Sequence, residues 1–154
     1  MQINHRTTFK LEKQRKGESK PYEIREWEGN SALNEGLNLL TTLLCGGAGT
    51  AYNAANARIG VGNSTTAPSA AQTGLQGASK FFQAMASGYP TYGTSQQVVW
   101  KAIIDDGDAE FSWQEITVVN AATDAGTNLL RGTSAIGVKA PGDIWSMSVT
   151  VTFY

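Results

Sequence analysis

The last stretch of the chain carries its clearest pattern. Trp145, Met147, Val149, Val151 and Phe153 alternate with Ser146, Ser148, Thr150 and Thr152. A period of two puts the apolar set on one face of a strand and the polar set on the other. Ile144 to Phe153 is therefore predicted as a strand with one face on a core. Gln97 to Asp105 alternates in the same way, with Val98, Trp100, Ala102 and Ile104 on one side. In Glu110 to Asn120, Phe111 and Trp113 are expected to share a face with Glu115, Thr117 and Val119. Shorter strands are read at Ala57 to Gly62, Ser79 to Ala86 and Asn128 to Ile136. Thr7 to Gln14 and Pro21 to Glu28 form two more around the turn Lys16-Gly17-Glu18-Ser19. Tyr22 and Ile24 point one way there, and Arg25 and Trp27 the other. The turns are Gly88-Tyr89-Pro90, Asp106-Gly107-Asp108 and Ala121 to Gly126, and Asn63 to Gly77 is a long loop.

One segment has a different period. Leu33, Leu37, Leu40 and Leu44 follow the i, i+4, i+7, i+11 stripe of a helix over about residues 31–45. Asn30 or Ser31 can cap it, Glu35 suits its N-terminal dipole, and Gly46-Gly47 ends it. Seven or eight strands between glycine-rich turns, with one helix, predict an antiparallel β-sandwich or barrel of jelly-roll-like form. No helix recurs between strands, so a parallel sheet is not expected.

Composition sharpens this picture. Only 16% of the 154 residues are charged, so Ser, Thr, Asn, Gln and Gly must supply the polar surface. Residues 1–28 hold 12 of the 25 charges, seven cationic and five acidic, and the other 126 residues are net −3. The expected organisation is an extended N-terminal arm or hairpin over 1–28 and a β-domain over 29–154. As an arm it would reach another chain, and Arg6, Phe9, Lys10, Leu11, Lys13, Arg15, Tyr22 and Trp27 are the interface candidates. A net charge of −1 gives no pull toward nucleic acid or anionic lipid. Residues near Met1 lack the apolar core of a signal peptide. The apolar-rich run Leu37 to Cys45 is too short to span a bilayer.

Catalytic chemistry is sparse. His5 and Cys45 are the only residues of their kinds, too few for a zinc site or a nucleophile–base pair with partners to spare. Cys45 is expected to be a small buried apolar residue. Gly46-Gly47-Ala48-Gly49-Thr50 lacks the lysine of a phosphate-binding loop, and Gly60-Val61-Gly62 lacks the third glycine of a dinucleotide fingerprint, where Thr65 stands. Asp105, Asp106, Asp108 and Glu110 are dense enough to draw Ca²⁺, but their spacing is not that of an EF-hand and a solvated turn is the simpler reading. No cofactor is expected. Trp27, Trp100, Trp113 and Trp145 are read as core or interface anchors before a sugar platform.

Several stretches occur together in a recognisable order: Glu28-Gly29-Asn30 with Leu33-Asn34-Glu35-Gly36, Ala57 to Ala67 (ARIGVGNSTTA), and Gly88-Tyr89-Pro90. They continue with Ala109 to Glu115 (AEFSWQE) and Trp145 to Thr152 (WSMSVTVT). In these the chain is similar to a group of small structural proteins encoded in tailed-bacteriophage genomes. The resemblance implies a non-enzymatic virion protein, made in the host cytoplasm and placed on the outer capsid surface as a decoration or cement protein. Its expected partners are the major capsid protein and copies of itself, as a trimer, with neither nucleic acid nor membrane. The alternatives are a tail or fibre component and a carbohydrate- or host-surface-binding module.

Overall fold

The computed structural model describes residues 1–29 and 31–154, and shows a mainly β protein of two antiparallel sheets with one helix. In chain order the strands are β1 (His5–Arg15), β2 (Glu23–Glu28) and β3 (Ser31–Ala32), then helix α1 (Asn34–Leu44). There follow β4 (Arg58–Gly62), β5 (Lys80–Ala84), β6 (Thr91–Thr94), β7 (Gln97–Ile104), β8 (Ser112–Val119), β9 (Asn128–Val138) and β10 (Asp143–Phe153). One sheet has the order β2-β1-β10-β7-β6 and the other β3-β9-β8-β4-β5. Neither closes on itself, so the architecture is a sandwich and not a barrel. Each inner face supplies alternate residues to a shared core, as two stacked sheets require.

The middle of that core is β10 and its neighbours. Met147 and Val149 are fully buried, Val151 nearly so, and they face Ala102, Trp100 and Val98 of β7 in register. On the other side β10 pairs with β1 through all eleven residues, from His5 opposite Phe153 to Arg15 opposite Asp143. β1 itself reads Thr7, Phe9, Leu11, Lys13 inward, and Phe9 and Leu11 have no exposed surface.

That placement corrects the expectation of an arm. Residues 1–28 are a hairpin whose first strand lies inside a five-stranded sheet, because two fully buried apolar side chains and the ladder with β10 hold it there. Of the eight interface candidates, Phe9 and Leu11 belong to the chain's own core. Lys13 is buried with its ammonium 3.0 Å from Glu23 and 4.6 Å from the centre of the Trp145 ring. Trp27 stacks on Phe9, Arg15 lies over the Tyr22 ring, Arg6 pairs with Glu28 and Lys10 with Glu12. Their partners are within the chain itself.

The helix also differs from its stripe. It starts at Asn34 with Leu33 as an uncapped N-cap, while Ser31 lies in β3; Asn30 is outside the described residues. Its closest approach to the sandwich is Gly36, where a Cβ would come within 2.5 Å of the Leu129 backbone. The absent side chain lets the helix sit directly on β9 and turns Leu37 and Leu44 outward. At the other end Gly46 (φ +73°) donates to Leu43 and Gly47 to Thr42, the paired bonds of a Schellman ending. Cys45 at this ending is exposed, not buried, since the following loop lies in solvent.

In β8 the expected shared face is broken. The ladder with β9 slips between Trp113 and Glu115, which sends Trp113 into the core with Ile116 and Val118. Glu115 and Thr117 face the outside of the sheet, and the 63–79 loop covers Glu115. There Glu115 is fully buried against Arg131 at 2.7 Å and accepts backbone N–H bonds from Ser64, Gln76 and Gly77. Arg131 also donates to the Thr66 carbonyl and to Gln72. Enough bonds surround this buried ion pair to anchor a long loop that has no strand of its own.

Candidate binding cleft

The two ends of the sandwich are finished differently. At the end where β1 stops and β10 starts, Trp113 packs edge-to-face on Trp145 at 4.9 Å, and both are fully buried. Trp113 Nε1 donates to the Ala109 carbonyl, and Trp145 Nε1 to Tyr22 Oη. At the opposite end, where β1 starts and β10 stops, the sheets are not closed over one another. A cleft of about 370 Å³ opens there. One wall is sheet: Val98, Trp100, Val151 and Phe153, with Leu129 and Leu130 across from them. Leu37, Leu40 and Leu43 of α1 make the other wall, and Pro90 and Tyr92 form part of the rim. This volume is in the range of ligand or side-chain pockets.

Two polar atoms in this cleft have no partner. Thr7 Oγ1 and Tyr52 Oη are both buried and form no hydrogen bond with the described residues. Burial pushes the Tyr52 phenol well above its ordinary range, and the Glu35 carboxylate adds to the effect, so the hydroxyl stays a neutral donor. Trp100 Nε1 holds the Tyr52 segment in place by donating to its carbonyl at 3.0 Å. An unsatisfied buried hydroxyl is costly, and two of them belong to residues that line this apolar cleft.

No Asp, Glu, Lys or Arg lines the cleft. The reason lies in the sequence: residues 36–57, 81–100 and 144–154 contain no charged side chain, and the topology brings parts of all three to this end. These charge-free runs were the signal for the site, together with the Leu37, Leu40, Leu43 spacing. Pattern reading by strand passed over both. Around the mouth Ile3, Leu37, Tyr92, Phe153 and Tyr154 are exposed, and backbone bonds between Asn4 and Tyr154 tie the chain's two end segments together there. Extending the alternation of β1 upstream from Thr7 places His5 and Ile3 on the cleft side.

The acidic residues lie at the closed end, where the carboxylate of Asp106 is engaged by the chain itself. Asp106 accepts the Gly142 N–H at 2.6 Å and meets Lys16 at 3.1 Å, which hold its carboxyl below the usual range. Lys139 is buried and donates to the Asp105 carbonyl. Burial lowers its pKa, against the pull of Glu110, Asp143, Asp106 and Asp108. Two lysines thus stand among these carboxylates. No three His, Cys, Asp or Glu side chains converge in a metal-holding group among the described residues. Trp100, Trp113 and Trp145 are buried, and Trp27 is half-buried on Phe9. His5 lies at the mouth of the cleft and Cys45 at the helix end.

No family model, curated protein or solved structure matches the chain.

Proposed function

We propose that the chain is a non-catalytic structural subunit of a tailed-phage particle, one that binds the outer surface of the capsid and stabilises the shell. The observation that carries this reading is the open, uncharged end of the sandwich. Charge depletion with exposed aromatic and aliphatic side chains is the composition of an interface core, and a patch of this kind is unfavourable in a free monomer. The closed end, the central β1–β10 ladder and the loop anchored on Glu115 give the subunit a rigid body on which such a contact can be presented. The resemblance in the stretches from Glu28 to Thr152 points to the particle as its setting. A cement subunit contributes the same buried area at every site it occupies, so its stabilisation of a shell is repeated over the whole lattice. Its partners are the major capsid protein and copies of itself.

Quantitative mass spectrometry of purified particles tests this. Hundreds of copies per particle are expected for a head lattice. A handful would move the subunit to the tail, and its absence from particles would overturn the proposal.

A further inference from the structure

We infer that the recess at the open end binds one small neutral amphiphile, a medium-length hydrocarbon chain with an uncharged polar end, of the fatty-alcohol or ester class. The inference goes beyond the structural-subunit reading and does not depend on it. Three features of the cleft select this occupant. The first is depth. Its floor is made of core residues, Leu130 (1% exposed), Trp100 (4%) and Val151 (5%), whereas Leu37 (43%), Phe153 (37%) and Tyr92 (73%) stand at the mouth. A recess that runs from the surface to the core admits a slender chain, while a broad protein surface would span the mouth and leave the floor empty. The second is size. At roughly 30 Å³ for each small group packed as in a liquid, a volume of about 370 Å³ holds about a dozen carbon-sized groups. The third is polarity. Trp100 Nε1 is already committed to the Tyr52 carbonyl, and the Thr7 and Tyr52 hydroxyls are shut off from solvent. The remaining polar side chains on the lining are His5, Asn53 and Tyr92, all exposed. Asn53 Oδ1 accepts the Asn56 N–H, which leaves its NH₂ as a donor. With no Asp, Glu, Lys or Arg on the lining, an ionised head group would lose water and gain no counter-charge. A hydroxyl or ester carbonyl needs only one of these neutral partners.

Isothermal titration calorimetry of the full chain with 1-decanol tests this, below the solubility limit of the alcohol and at about pH 8, where an ordinary imidazole is uncharged. Saturable binding of a single decanol per chain is expected, with a dissociation constant in the micromolar range. Decanoate and decylammonium carry the same chain with a charged end, and should bind at least about tenfold more weakly. Leu40→Trp fills the recess from the helix wall and should abolish binding. Leu37→Lys places a cation at the mouth, on an already exposed position, and should reverse the preference so that decanoate binds more tightly than decanol. That reversal reads the site by itself where Leu40→Trp does not fold. Absence of saturable decanol binding overturns the inference. So does decanoate that binds the wild type as tightly as decanol, or a decanol affinity that Leu37→Lys and a folded Leu40→Trp both leave unchanged. Copy number in particles reads the other proposal separately. A chain present in hundreds of copies that binds no decanol loses only the ligand, and one that binds decanol but is absent from particles loses only the capsid role.

Discussion

The closed and open ends of this sandwich are built on the same three strands, β1, β10 and β7, and differ in what lies between the sheets. At the closed end two tryptophans meet edge-to-face, Lys13 spans from Trp145 to Glu23, and Lys16 and Lys139 tie down the acidic turn. Every large group there finds a partner inside the subunit. At the open end the same alternation continues through Val151 to Phe153, but Leu37, Leu40 and Leu43 of the helix line the far wall and the space between stays open. Stability is therefore concentrated at one end and unmet binding capacity at the other.

The largest effect should come from removing what the two ends share. β1 runs the whole length of the sheet and buries Phe9 and Leu11, so deleting residues 1–28 should abolish folding, with loss of the β signal in circular dichroism. A folded, cooperatively melting truncation would return the segment to the status of an arm. Next in size are single truncations at the two ends. Trp145→Ala removes a fully buried ring and its contact with Trp113, and should cost about 3–5 kcal/mol in denaturant unfolding. Leu37→Ala at the open end removes a side chain that is 43% exposed and should cost less than about 1 kcal/mol in the isolated subunit. Equal losses at the two sites would erase the distinction between the ends.

How much of this was legible depended on the period of each segment. β10 and β7 alternate without interruption, so their core faces could be read residue by residue. β1 alternates as well, but Lys13 among its inward positions and the charges between them made it look like solvated chain. A buried lysine paired with Glu23 and lying over Trp145 leaves no trace in a binary pattern. β6 was missed because its turn to β7 places Ser95 and Gln96 at positive φ, a conformation usually signalled by Gly or Asn. The bulge after Trp113 reversed the predicted face of Glu115, since one register slip exchanges the two sides of a strand. The cleft depended on long-range placement: three charge-free runs, distant in sequence, meet only once the sheets stack.

A smaller effect separates the ends by pH. Asp106, at the closed end, has its carboxyl held below the ordinary value first by the Gly142 N–H and then by Lys16. A depressed carboxylate contributes stability that is present above its unfolded value of about 3.8 and is lost as pH falls through the lower folded value. Asp106→Asn should lose that stability at neutral pH and flatten the acid limb, so that its melting temperature lies below the wild type's above about pH 4 and converges on it at lower pH. Lys139 has the opposite sign. Its folded pKa is lowered, so its burial opposes folding while the amine must be charged and is relieved as pH rises toward the unfolded value.

The smallest effect expected is also the one whose sign distinguishes the ends most directly. At the closed end each polar group near the core is bonded, so removing one should destabilise. In the cleft, Thr7 Oγ1 and Tyr52 Oη are buried without partners among the described residues. Replacing an unpaired hydroxyl with an apolar group of the same shape takes away a desolvation cost and breaks no bond. Thr7→Val and Tyr52→Phe should therefore be neutral or raise stability by up to about 1 kcal/mol in the monomer, as measured by urea unfolding. Loss of monomer stability on Tyr52→Phe would mean that the hydroxyl already has a partner within the subunit, and that the open end is more nearly finished than its geometry indicates.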